Sequence, residues 1–187
     1  GGNITLSGTG QILLSLVTIN SDSGSISLSA GSYAGHAIQM AGATITATNQ
    51  SITLNGTSTS GEGIYAYGSG STPTTISTTS GAITLTGVGT DWGIWFGAVN
   101  VLSNSGDISL NGGIRGIATG VDATTNIGAL TSGTAEGNIS LTVDRYWSTN
   151  TATKYKTTGA VLIQSAATQF SEAVSITNTT FTGHSSL

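Results

Sequence analysis

Gly24-Ser25-Ile26-Ser27-Leu28 decides the reading of this chain, because the same phrase returns along its length. The other copies are Gly2-Asn3-Ile4-Thr5-Leu6, Gln50-Ser51-Ile52-Thr53-Leu54, Gly81-Ala82-Ile83-Thr84-Leu85, Gly106-Asp107-Ile108-Ser109-Leu110 and Gly137-Asn138-Ile139-Ser140-Leu141. From Ile to Ile the spacings are 22, 26, 31, 25 and 31 residues, a period that marks a solenoid. Within each copy apolar and polar residues alternate, so Ile and Leu face one side of a strand and Ser, Thr and Asn the other.

Two further ladders accompany the phrase. Ile19, Ile45, Ile76 and Val101 each stand five positions ahead of the Gly or Gln that opens the next copy. Two residues further upstream lie Val17, Ala43 and Val99, a row that Thr74 interrupts. Between these ladders runs a middle strand, read in Gly35-His36-Ala37-Ile38-Gln39-Met40, Gly63-Ile64-Tyr65-Ala66-Tyr67-Gly68, Gly93-Ile94-Trp95-Phe96-Gly97, Gly116-Ile117-Ala118-Thr119-Gly120 and Gly159-Ala160-Val161-Leu162-Ile163.

Each repeat therefore reads as three short strands joined by Gly- and Ser-rich bends. Equivalent strands more than twenty residues apart cannot meet through a hairpin, so if they stack they are parallel. Crossover helices are the usual companions of a parallel sheet, and a chain with 28 Gly and only 4 Lys plus Arg has little to build them from. The remaining solution is an all-β fold, a parallel β-helix of about six coils with three short strands per coil, roughly 30 Å long. Its expected hand is right, as for nearly all parallel connections within a sheet.

Composition bounds the rest. Residues 1–187 read as one domain with a continuous narrow core. Charged residues make up 6 % of the chain and its formal net charge is −4, but regularly spaced Ile, Leu and Val are the opposite of the disorder signature. Arg115, Arg145, Lys154 and Lys156 form no basic stripe, so no nucleic-acid partner is expected. The run Gln11–Val17 is strand-sized, and without a run of about 18 apolar residues no membrane insertion is expected. With no Cys, the redox compartment is not legible from disulfides.

The ends read as a slice from a longer array, or as a unit that stacks on copies of itself. Gly1 opens directly on a phrase with no cap or signal peptide, and after a final strand at Ala173-Val174-Ser175-Ile176-Thr177 the next phrase is replaced by Phe181-Thr182-Gly183-His184.

The Gly-x-Ile-Ser/Thr-Leu phrases and the Gly-Ile strands between them resemble the filamentous haemagglutinin-like adhesins of the two-partner secretion and autotransporter type. The resemblance spans nearly the whole chain, although the family's amino-terminal secretion domain has no counterpart here. It implies a right-handed parallel β-helix rod of a secreted or cell-surface bacterial adhesin.

Three surface features are candidates for contact. The outward rows of the phrase, such as Thr5, Ser27, Thr53, Thr84, Ser109 and Ser140, form a polar, nearly uncharged face. That face reads as a solvated sheet with hydroxyl and amide pairs between coils, and its mixed Ser, Asn and Thr argue against ice binding. Tyr65 and Trp95 fall at outward positions of adjacent coils, where aromatic rings suit sugar faces or protein contacts, or simply stack on each other. Residues 143–158 read as a loop insertion in the sixth coil that gathers Arg145, Tyr146, Trp147, Lys154, Tyr155 and Lys156 as a contact site.

Catalysis is not expected. The eight acids are scattered through different turns with no motif linking them, although Asp91 and Asp107 could approach across coils. His36 and His184 are isolated, so neither a metal nor a cofactor is expected. The expected function is a structural and adhesive rod that attaches to glycans or to host or bacterial cell surfaces. The alternative is an extracellular filament subunit that associates end to end, with a polysaccharide-active enzyme or an ice-binding protein as a distant third.

Overall fold

The computed structural model describes residues 2–31, 34–120, 124–129, 136–148, 153–171, 174 and 179–182. Among these residues every regular element is a strand, and the strands stack into three parallel sheets. Sheet A collects the repeated phrases as β1 (Ile4–Gly8), β4 (Ile26–Ala30), β7 (Ile52–Thr57), β10 (Ile83–Val88), β13 (Ile108–Gly113), β16 (Ile139–Val143) and β19 (Val161–Gln164). Sheet B holds the middle strands β2 (Ile12–Ser15), β5 (Ile38–Ala41), β8 (Ile64–Tyr67), β11 (Ile94–Gly97), β14 (Ile117–Thr119) and β17 (Tyr146–Ser148). Sheet C contains β3 (Thr18–Ser21), β6 (Thr44–Ala47), β9 (Thr74–Thr78), β12 (Val99–Ser103), β15 (Thr125–Gly128), β18 (Thr153–Lys156) and β20 (Thr179–Thr182). The result is a β-solenoid of about six coils, three strands to the coil, as the repeat predicts.

Stacking is in register. Ile26 lies on Ile4 and below Ile52, which pairs with Ile83, then Ile108 and Ile139. Ile12, Ile38, Ile64, Ile94 and Ile117 form the column of sheet B, and Ile19, Ile45, Ile76, Val101 and Ile127 that of sheet C. These columns fill the lumen, where most members are at 0 or 1 % exposure. Each such side chain contributes about 1.5–3 kcal/mol of burial.

The interruption at Thr74 is a satisfied one. Its side chain is fully buried in the row of Ala43 and Val99, and its hydroxyl donates to the Tyr67 carbonyl at 2.5 Å.

The bend from sheet C into sheet A repeats a small hydroxyl device. Ser21, Thr78 and Ser103 accept from the backbone N–H three residues on, at Gly24, Gly81 and Gly106, over 3.0, 3.1 and 3.0 Å. Thr78 and Ser103 also donate to the carbonyls of Gln50 and Gly81 one coil back, at 3.2 and 3.1 Å. A buried hydroxyl thus ties its own turn to the preceding rung and satisfies two backbone groups that would otherwise lack partners. Glycine is needed there because a Cβ at Gly81 or Gly106 would overlap the carbonyl of the residue stacked on it.

The corner between sheets B and C takes a different form. A single left-handed residue turns the chain at Leu16, Gly42 and Ala98, with φ of 52, 58 and 57°. In the third coil residues 69–72 bulge out instead, closed by reciprocal backbone bonds between Ser69 and Thr72.

Two sequence expectations require correction. Within the stretch 143–158, residues 146–148 and 153–156 are strands and not surface loop, since β17 pairs with β14 and β18 with β15, continuing two walls of the solenoid. Its lack of an Ile phrase conceals the register, because Tyr146 and Tyr155 take the column positions that Ile117 and Ile127 hold one coil earlier. Val161 belongs to sheet A, stacked on Ile139, and not to the middle sheet. Of the expected strand at 173–177 only Val174 lies within the described residues, and Phe181 stacks in the column of sheet C on Tyr155.

Candidate functional site: an aromatic face on sheet B

Outward positions of sheet B run Leu13, Gln39, Tyr65, Trp95, Ala118 and Trp147, paired one to the next. In-register parallel pairing sets like positions about 4.8 Å apart, close to the separation at which aromatic rings stack. Tyr65 and Trp95 accordingly stack at 4.7 Å between centroids and 22° between planes. His36 lies on the other side of Tyr65 at 4.2 Å and 10°, and its Nδ1 is 2.5 Å from the Glu62 carboxylate. Tyr67 tilts against Tyr65 at 5.2 Å.

The indole of Trp95 leans along the surface, and glycine makes the room. Its six-membered ring lies against the Cα atoms of Gly97 and Gly120, where a Cβ would collide with it. Ala118 is fully buried although it sits at an outward position, between Trp95 and Trp147 on the flanking rungs.

Trp92 and Trp147 form a second stack, 5.9 Å between centroids and 10° between planes. The Arg145 guanidinium lies 3.9 Å from the Trp92 ring centroid, a cation–π arrangement. Arg145 is held there by two bonds, one from Nε to the Arg115 carbonyl at 2.8 Å and one from the guanidinium to the Asp91 carbonyl. Trp147 remains 46 % exposed. Partial burial raises the Tyr65 phenol above its ordinary value, and the Glu62 carboxylate and Tyr67 add to the shift.

The sequence candidates therefore divide three ways. Tyr65, Trp95, Arg145 and Trp147 share the face of sheet B, which joins two candidates that the sequence reading kept apart. Lys154 and Lys156 lie on the outer face of sheet C beside Asn100 and Asn126. Tyr146 and Tyr155 are not contact residues, because their rings fill the lumen at 2 and 1 % exposure.

Sequence reasoning missed His36 as a member of the ladder, together with Asn100 and Asn126. A signal existed for the asparagines, since each precedes an inward residue, Val101 or Ile127, just as Lys154 precedes Tyr155.

Two of the acids, Asp107 and Asp144, hold structural hydrogen bonds. Asp107 accepts from the backbone and side chain of Asn138 at 2.7 and 3.2 Å. Asp144 is buried and accepts from the backbone and hydroxyl of Ser171. Among the described residues no three His, Cys, Asp or Glu side chains gather as a metal-holding group.

No family model matches the chain, and neither a curated protein nor a solved structure matches it.

Proposed function

We propose that this solenoid is an adhesive rod that presents the aromatic face of sheet B to glycans. The observation that carries the reading is the pair of stacks, His36–Tyr65–Trp95 and Trp92–Trp147 with Arg145, aligned on one side of a rigid sheet. Stacked rings are ordered before any ligand arrives, so little side-chain entropy remains to be lost on binding. An exposed indole such as Trp147 offers an apolar face to the C–H side of a sugar ring, with the guanidinium nearby for hydroxyls. The reading carries with it a secreted or cell-surface location, which the resemblance of the repeated phrase implies.

A glycan array probed with the protein and with Trp147→Ala and Trp95→Ala tests it. Binding that both variants reduce supports the proposal; a protein that binds nothing above background is a scaffold only.

A second reading is end-to-end association, since the coils stack through in-register parallel ladders of a kind that one copy can continue onto another. Mass measured across a dilution series separates the cases: a mass that stays monomeric at every concentration rejects self-association.

A further inference from the structure

We propose that the outer face of sheet C carries a second binding site, for an anionic saccharide whose carboxylate or sulfate is met by Lys154 and Lys156. The two lysines are two positions apart on β18, so both side chains leave the same face about 7 Å apart. They border a groove of about 370 Å³ that Asn100, Asn126, Thr180 and Thr182 also line. Among the described residues no carboxylate lines the groove, and two lysines do, on a chain of net charge −4.

The floor of the groove is ordered in advance. Asn126 donates through its amide to Asn100 at 2.8 Å, and Asn100 to the Thr75 hydroxyl at 3.4 Å, giving a ladder of amides and hydroxyls across successive rungs. A second hollow of about 340 Å³ shares Asn100 and Asn126 and extends to Ser69, Gly70 and Pro73 at the bulge. An extended ligand crossing several rungs fits this shape better than a compact ion.

The choice of saccharide over peptide follows from the backbone. On a sheet face the N–H and C=O groups are spent in the parallel ladders, so a peptide has no edge to extend. Recognition falls to amides, hydroxyls and ammonium groups, which match the hydroxyls and acid group of an anionic sugar. The site shares no residue with the aromatic face, and each can bind without the other.

Retention on immobilised polygalacturonate, dextran sulfate, neutral dextran and polyglutamate tests the assignment. The expected result is retention on polygalacturonate, dextran sulfate or both, but not on dextran or polyglutamate, and weakening with added salt. Retention on only one of the two acidic polysaccharides identifies the acid group. Lys154→Gln with Lys156→Gln weakens retention at least about tenfold, the factor that one charge-assisted bond is worth. Thr180→Glu, which sets a carboxylate on the rung paired with Lys154, does the same by a different route. Circular dichroism checks that both variants keep the fold.

Absence of retention on both acidic polysaccharides overturns the proposal, as does retention that neither variant changes. Equal retention on polyglutamate overturns the saccharide assignment. Neutral-glycan binding lost in the Trp147 variant is a separate readout, so either site can fail alone.

Discussion

The Tyr155 hydroxyl donates to the Tyr146 hydroxyl at 3.1 Å inside the solenoid, linking the walls of sheets C and B across the sixth coil. Around it the lumen turns polar, with the Thr153 hydroxyl donating to Thr119 at 2.9 Å and a contact to Ser148 at 3.4 Å. Two phenols thus replace two aliphatic column residues, and each finds its partner in the other. Phe181 continues the column, stacked on Tyr155 at 5.1 Å and 11°.

Removing that donor has a definite cost. Tyr155→Phe leaves the Tyr146 hydroxyl without its partner and lowers stability by about 1–3 kcal/mol. Tyr155→Ala, which opens a cavity as well, lowers it by about 3–5 kcal/mol. Urea unfolding of both variants measures the difference, and equal stability of wild type and Tyr155→Phe contradicts the pairing.

The same residue sets an alkaline limit. Burial, with Tyr146 beside it, holds the Tyr155 phenol well above its ordinary value. The folded protein therefore keeps a proton that the unfolded chain releases near pH 10. The stability linked to this group is complete below about pH 10 and is lost as pH rises toward the folded value. Unfolding midpoints measured from pH 8 to 12 fall above 10 in the wild type and fall less in Tyr155→Phe.

Glycine substitutions separate the bends from the open turns. Gly106→Ala drives a Cβ into the Gly81 carbonyl, whereas Gly70 has nothing within 4 Å of an added Cβ. Gly106→Ala is expected to destabilise by about 2 kcal/mol or more, and Gly70→Ala to change stability by less than about 0.5 kcal/mol. Thermal unfolding of the two proteins side by side gives the comparison.

Gly120→Ala probes the aromatic face without breaking the coil. Its Cβ meets the far end of the Trp95 indole, a part-exposed ring that can move aside. The near-ultraviolet circular dichroism of the stacked rings is expected to change while the far-ultraviolet spectrum holds. A spectrum identical to wild type in both regions contradicts the placement of Trp95.

Position along the rod scales the cost of a core deletion. Ile83 is sealed by rungs on both sides, while Ile4 lies on the first rung and is only half-buried. Ile83→Ala is expected to cost about 2–5 kcal/mol and Ile4→Ala about 1 kcal/mol or less, scaling with the area it buries. Equal losses in denaturant titrations contradict the stacking order.

Legibility in the sequence followed the strength of the repeat. Where Ile and Leu recur after Gly, as at Ile26, Ile52 and Ile83, strand, face and register were all readable, because a one-residue slip would turn every apolar side chain outward. Where the repeat lost its phrase the reading failed: Tyr146 and Tyr155 are aromatic and basic neighbours surround them, so the segment looked like a loop. Tyr carries both an apolar ring and a polar tip, and only a partner for the hydroxyl tells which way it faces. The left-handed corners at Leu16 and Ala98 were equally hidden, since neither is glycine.

From the sequence alone came the winding of the backbone into three-strand coils and the aliphatic columns of its lumen. Both depend on local alternation and on a period, which a linear string records. Tertiary structure alone decided which distant residues meet on the outside: Trp92 with Trp147 and Arg145, and Lys154 with Asn126 and Asn100. Coils of unequal length shift each outward residue by a different count, and only their closure onto one another determines which residues become neighbours.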